Sequence, residues 1–384
     1  MPKRLTQWGV ATALVATLVA GAAGPAAAAA SRNHRLQAAV DDLHTLGITG
    51  VQGLSRVDGR TDRARAGVGD LETGAPVPVD GYFRMGSTTK TFVAVVVLQL
   101  AGEHRLSLDD TVDHWLPGVV TGNGNDGRQI TIRQLLQHTS GLYSYQNDLA
   151  ILGSYEGYLA HRLDHHEPAD LVALAMRHKP EFEPGTSWDY SSTNYILAGM
   201  IIEKATGRTW SAEVTDRIVR PLGLRHTSYP GDRAALPTPH AKAYQQWSPG
   251  GPLRDTTILN PTVTGAAGGL ITTPSDLARF WPALQQGRLL KPAQMAAMHR
   301  TVPAVTWNDG TRYGLGIQFM PNRCGGYWSH GGDVPGSRTA NAVSPNGRRV
   351  VVLSLTTPPR GGEAPKAIKD RTNRLLNETI CAAR

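Results

Sequence analysis

The run Thr91–Leu100, TFVAVVVLQL, is apolar on nearly every side. A helix without a polar face has to be covered all round by other elements, so this stretch demands a large core. Its β-branched residues would also suit a strand, an ambiguity that spacing alone leaves open. Directly before it stands FRMGSTTK, with Ser87 and Lys90 three positions apart. On a helix, Ser87 lies at the N-terminal end and Lys90 one turn on, with Cβ atoms about 5–6 Å apart. The free N–H groups and partial positive charge of a helix start favour an oxyanion at the serine. An ammonium at the edge of an apolar core is costly, so its pKa falls and it becomes an amine able to take the serine proton. The plainer alternative is a capping serine with a lysine snorkelling to the surface.

The chain has 384 residues, a length that suits one large or two interlocked domains. Residues 1–30 combine the cationic start MPKR, an apolar stretch and an alanine run, the pattern of a secretory signal peptide with the mature chain beginning near Ser31. No later apolar run is long enough to span a bilayer, so a product without a stable membrane span, soluble and outside the cytoplasm, is expected. The net charge is +8, including Lys3 and Arg4 of the signal. The remaining basic residues are scattered, which argues against nucleic acid as a partner and fits a mild attraction to anionic cell-wall polymers equally well. In an exported chain the two cysteines, Cys324 and Cys381, read as a disulfide, whose long loop would contribute roughly 4 kcal/mol in a chain-entropy account.

Helical spacing runs from Asn33 to Leu46, followed by two strands joined at Asp58-Gly59. Between about 111 and 264, helical patches such as ITIRQLLQHTSG and TNYILAGMIIEKATG alternate with loops, and strands are scarce. After Gly265 strands return, in GGLITT, RYGLGIQFM, GGYWSHGG and RTANAVSPNGRRVVVLSLTT, the last with an Asn346-Gly347 turn. KAIKDRTNRLLNETI closes the chain as a helix. The expected fold class is therefore α/β of the α+β kind: an antiparallel sheet flanked by helices, built from 31–110 and 265–384 as one discontinuous domain, with 111–264 as a mostly helical second domain.

Several stretches in fixed order carry a resemblance: FRMGSTTKTF, ITIRQLLQHTSGLYSY, PGTSWDYSSTNYILAGMIIEKATG, PLGLRHTSY, GGLITTPSDLARF, YGLGI and WSHGGDVPG. From about residue 36 to Cys381 the sequence resembles the secreted serine D-alanyl-D-alanine carboxypeptidases of actinomycetes. These belong to the superfamily of serine β-lactamases and penicillin-binding proteins, near the class C enzymes and serine esterases. The resemblance implies the β-lactamase/transpeptidase-like fold. It implies Ser87 as nucleophile, Lys90 as its proton acceptor, Tyr190 of DYSSTNY as the second-motif phenol, and His330 of HGG in the third motif. It implies an oxyanion hole from the backbone N–H groups of Ser87 and Asp333, and it matches Cys324 and Cys381 to the family's disulfide pair.

The sequence departs from that pattern at four places. Ser192 stands where the second motif has asparagine, with Asn194 two residues on as the nearest amide. Gly331 replaces a threonine, and Asp333 follows Gly332 where a second threonine is usual. Gln318 lies near the place of an arginine that holds the substrate's terminal carboxylate. A carboxylate at Asp333 repels a D-Ala-D-Ala terminus. Arg338 is expected to neutralise it in part, and the enzyme to accept acyl donors with little or no terminal carboxylate, such as esters, amides or cross-linked peptides.

The functional expectation is a monomeric serine acyl hydrolase of the D-alanyl-D-alanine carboxypeptidase type. It would act on peptidoglycan peptides or small acyl substrates, react with β-lactams, and need no cofactor. An esterase or β-lactamase of the same fold, or a non-catalytic cell-wall binding protein, are the alternatives. HRLDHHEPAD, with His161, His165 and His166, lacks metal-site spacing, so no metal is expected there and a solvated turn is preferred.

Overall fold

In the computed structural model, which describes Pro2 and residues 25–307, 309–356 and 364–382, the chain begins with helix α1 (Pro25–His44). Of the segment read as a signal peptide, residues 1 and 3–24 lie outside the described residues. The antiparallel pair β1 (Gly50–Val57) and β2 (Arg60–Gly67) follows, and its turn places Asp58 and Gly59 at positive φ. Next comes helix α2 (Thr89–Gly102), preceded by a single 3₁₀ turn over Gly86–Thr88 that carries Ser87. The strand-or-helix ambiguity of the apolar run is thus resolved as helix, and Phe92 through Leu98 are fully buried.

The middle of the chain supplies α3 (Ile132–Gln137), α4 (Thr193–Thr206) and shorter helices between loops. Helix α5 (Pro274–Gln285) then precedes strands β3 (Val302–Pro303), β4 (Arg312–Tyr313), β5 (Gln318–Met320), β6 (Tyr327–Ser329), β7 (Gly332–Val334), β8 (Ser337–Val343) and β9 (Arg349–Thr356). Helix α6 (Ala364–Cys381) follows. One antiparallel sheet runs in the order β2-β1-β9-β8-β6-β5-β4-β3, with the short β7 paired to β8. Strands from the two ends of the chain are therefore neighbours in the sheet, where β1 pairs with β9 over their whole length.

Two helical layers cover the sheet. Val351, Leu353 and Leu355 of β9 face α1 and α6, packing with Leu36, Val40, Ile368 and Leu375. Val350 and Val352 point the other way, into the core built around α2 and α5. A strand buried on both faces explains the unbroken apolar run RVVVLSLT. On that second side Phe92 stacks on Phe280 with ring centroids 3.8 Å apart. Cys324 and Cys381 form a disulfide that ties the β5–β6 connection to the end of α6.

Two expectations need correction. GGLITT does not join the main sheet: Ile271–Thr272 pairs with Phe83–Arg84 in a separate two-stranded ladder, which braces the residues just before Ser87. Helix α5 was not anticipated, although Thr273 caps it through Asp276 N–H and Pro274 occupies its first turn.

Candidate active site

Ser87 is held by tight backbone packing. Gly86 has φ +52°, and a Cβ there would come within 2.9 Å of Asp333 N. A Cβ on Gly332 would lie 2.0 Å from Met85 O and 2.8 Å from Ser87 N. Glycine is required at both places, and the result is that β7 lies against the Ser87 turn with the Ser87 and Asp333 backbones side by side. The two threonines between Ser87 and Lys90 complete the clamp. Thr88 donates to His330 O at 2.9 Å, and Thr89 accepts from Leu270 N–H at 3.2 Å.

Lys90 is completely buried. Its Nζ is 3.1 Å from Ser87 Oγ, 3.2 Å from Ser192 Oγ and 2.7 Å from Ala267 O. No carboxylate bonds it, so burial alone pulls its pKa down to about 7. The directions of the bonds follow from chemistry. Ala267 O can only accept, and the Ser192 hydroxyl donates to Gln146 Oε1 at 2.7 Å and so accepts from Lys90. A neutral amine has two hydrogens, both used by these partners. Its lone pair is left for Ser87 Oγ–H, the arrangement a general base requires.

Tyr190 stands on the other side, half-buried, its ring centroid 5.0 Å from Lys90 Nζ. Burial raises the pKa of its phenol, and interaction with Ser87 offsets this only in part, so the phenol stays protonated and able to donate. His330 is buried, and desolvation lowers its pKa to about 3. Its Nδ1 donates to Gly331 O at 2.7 Å, and its Nε2 accepts from Tyr313 Oη–H at 2.8 Å. A neutral imidazole fixed in this way is a positioned wall of the site.

Asp333 is exposed at the cleft and accepts from Arg338 Nε at 2.7 Å, the ion pair the sequence suggested. The two residues face each other across the β7–β8 ladder. Gly331 and Gln318 also line the cleft, a 660 Å³ cavity that contains Ser87. Asn194 is not brought to it. That residue is fully buried in the first turn of α4, where Ser140 Oγ donates to its Oδ1 at 2.6 Å and its Nδ2 donates to His138 Nδ1 at 3.1 Å. The amide nearest to Ser192 in the sequence thus faces away from the cleft, toward Ser140 and His138.

Three groups escaped the sequence reading. Gln146, from the 3₁₀ helix Tyr145–Asp148 that follows α3, lines the cleft and holds Ser192. Its Nε2 bonds no protein group among the described residues, which leaves an amide donor beside Ser87 where the second motif lost its asparagine. His138 lies behind Tyr190 with ring centroids 4.3 Å apart, at φ +62°. A second cavity of 390 Å³ adjoins the cleft through Gln146, Asp333 and Arg338, and its walls include Leu149, Ile151, Trp247, Leu259 and Val263. These residues sit far apart in sequence, and their one common signal is apolar character inside irregular segments. Two of the histidines of HRLDHHEPAD, by contrast, pair with carboxylates: His161 with Asp164, and His165 with both Asp232 and Glu167.

The family model described as Beta-lactamase matches residues 35–374. The D-stereospecific amidohydrolase from Streptomyces sp. superposes with a TM-score of 0.83 at 40% identity, over 92% of this chain and 99% of that one. The D-amino acid amidase from Ochrobactrum anthropi SV3, complexed with D-phenylalanine, gives a TM-score of 0.79 at 26% identity, over 90% and 98% of the two chains. Penicillin-binding protein 4 of Amycolatopsis lactamdurans is 30% identical over 338 residues, 84% of this chain and 83% of that protein.

Proposed function

This chain belongs to the beta-lactamase family of serine acyl hydrolases, and on that premise we propose that it hydrolyses amides of D-amino acids with apolar side chains. The observation that carries the reading is the Asp333–Arg338 pair at the cleft, with an apolar cavity opening beside it. A carboxylate next to the Ser87 turn repels a leaving group that carries its own carboxylate and tolerates a neutral amide or ester. The cavity offers an apolar side chain somewhere to go. The D configuration rests on the likeness to the Streptomyces and Ochrobactrum enzymes.

In the proposed reaction the Lys90 amine takes the Ser87 proton as Oγ attacks the carbonyl carbon. The oxyanion is held by the Ser87 and Asp333 N–H groups. Gln146 Nε2 donates to the acyl-side carbonyl. Tyr190 hands its proton to the leaving nitrogen and is reprotonated by the Lys90 ammonium; the amine so restored takes a proton from the attacking water, and that proton returns to Ser87 Oγ as the acid leaves. Each step uses a side chain already at the cleft, and no cofactor enters.

A D-alanyl-D-alanine carboxypeptidase is the second reading, favoured by the likeness to Penicillin-binding protein 4. It places the substrate's terminal carboxylate near Asp333, where Arg338 is paired with that carboxylate and offsets the repulsion in part. Esterase activity and acylation by β-lactams follow from the same Ser87–Lys90 pair. The N-terminal pattern supports export, and a monomer acting on small substrates outside the cytoplasm is part of the proposal.

Ammonia release from amides, measured beside D-alanine release from a D-Ala-D-Ala-terminated peptide, separates these readings. The purified chain is expected to hydrolyse D-phenylalanine amide well above its L enantiomer and above a D-Ala-D-Ala-terminated peptide. Equal rates on both enantiomers, or preference for the peptide, would overturn the amide reading.

A further inference from the structure

The pole of the sheet opposite Ser87 holds a second concave site. The β1–β2 turn at Asp58-Gly59, the β8–β9 turn ending at Arg348 and the C-terminal end of α5 enclose a cavity of 540 Å³. It is separated from the Asp333–Arg338 pair by the length of the eight-residue strand β9, roughly 25 Å at about 3.4 Å per residue.

Four arginines line it: Arg56, Arg279, Arg288 and Arg348. One carboxylate, Asp58, is set among them, 3.7 Å from Arg348 Nε. Arg279 donates to Gly223 O at 3.1 Å and lies 3.8 Å from Asp276. Arg56 and Arg288 have no side-chain hydrogen bond or ion pair among the described residues. The walls are fixed by backbone rather than by these side chains. Asp58 N–H donates to Arg348 O at 3.0 Å, and Gln286 Nε2 donates to Gly347 O at 3.3 Å. Gly347 has φ +67°, and a Cβ there would lie 2.9 Å from Pro282 O, so the turn is pressed onto the end of α5. Apolar Leu222, Pro282 and Ala283 also line the cavity.

We propose that this cavity binds a phosphodiester-linked polyol or sugar, its phosphates on the arginines and its carbon skeleton on Leu222, Pro282 and Ala283. Guanidinium groups recognise phosphate oxygens in a planar, bidentate way, and four of them beside the carboxylates of Asp58 and Asp276 leave a cationic excess. The cavity is far larger than a single phosphate, and apolar lining adds nothing for a bare anion. Both features favour a repeating ligand with carbon between its charges. Such a site would hold the enzyme on an anionic polymer while Ser87, at the other pole, stays open to small substrates. The inference is independent of the reaction assigned to Ser87.

Calorimetric titration of the full chain tests it, with three probes: a glycerol phosphate oligomer in phosphodiester linkage, inorganic phosphate, and polyglutamate of equal charge. The oligomer is expected to bind at least tenfold more tightly than either of the others. The double variant R56Q/R288Q should weaken it at least tenfold, D58N should tighten it, and ester turnover at Ser87 should not change in either. Equal binding of polyglutamate would reduce the site to bulk charge and overturn the proposal. Oligomer binding unchanged in R56Q/R288Q, or as weak as inorganic phosphate, would overturn it as well.

Discussion

Gln146 Oε1 accepts the Ser192 hydroxyl proton at 2.7 Å, and that bond makes Ser192 an acceptor for Lys90. The lysine lone pair is thereby turned to Ser87. Ser192→Ala removes the acceptor and lets the amine rotate. It is expected to lower kcat by about tenfold, from loss of a buried hydrogen bond contributing roughly 1–1.5 kcal/mol, with little change in KM. Steady-state kinetics on one ester substrate checks this, and a rise in KM at constant kcat would instead make Ser192 a substrate-binding group.

The buried amine also sets the pH dependence. With its pKa held near 7 by desolvation, Lys90 is protonated below that value and cannot act as a base, so kcat/KM should rise with pH through about 7. Stability carries the same sign. Between the folded pKa near 7 and the unfolded value near 10.5, the unfolded state binds a proton that the folded state does not. Stability should therefore rise with pH across that window and fall as pH drops toward 7. Lys90→Met should abolish turnover and flatten that part of the melting-temperature profile. An unchanged profile would show that the lysine is charged in the fold.

Asp333 governs the leaving group. Asp333→Thr removes the carboxylate and leaves the backbone amide in place. The ratio of kcat/KM for a D-Ala-D-Ala peptide over D-phenylalanine amide should increase by about tenfold or more, the scale of one unpaired like-charge contact in a cleft. Arg338→Ala should move the ratio the opposite way. If both substrates respond equally to each variant, the pair does not select the leaving group.

The apolar cavity governs the acyl side. Val263→Phe fills part of its 390 Å³. Activity on D-phenylalanine amide is expected to drop by one to two orders of magnitude, while D-alanine amide is hydrolysed within about threefold of the parent rate. A parallel loss on both substrates would place the side chain elsewhere.

Much of this site was legible in the sequence, and the parts that were not share a cause. Ser87 and Lys90 announce themselves because a lysine entering an all-apolar helix has no solvated face to occupy, and the structure buries it completely. The Asp333–Arg338 pair was readable because a tight hairpin brings two positions five apart face to face. Gln146 was not, since it lies in a short 3₁₀ helix and reaches Ser192 only through tertiary packing across 46 positions. Asn194 misled because two residues along the chain are adjacent in strands and loops. Here α4 begins at Thr193, and its first turn carries Asn194 inward to His138. Helix α5 was hidden by the strands on both sides of it, although Thr273 and Pro274 mark its start.

The most direct test of the mechanism is the intact mass of the protein mixed with a slowly released acyl donor, benzylpenicillin, beside Ser87→Ala. The proposal predicts a mass increase equal to the drug, mapped to the peptide containing Ser87, that is absent in the variant. An adduct that survives in Ser87→Ala, or neither adduct nor consumption of the drug by a protein that still hydrolyses amides, would contradict acyl transfer through the Ser87–Lys90 pair.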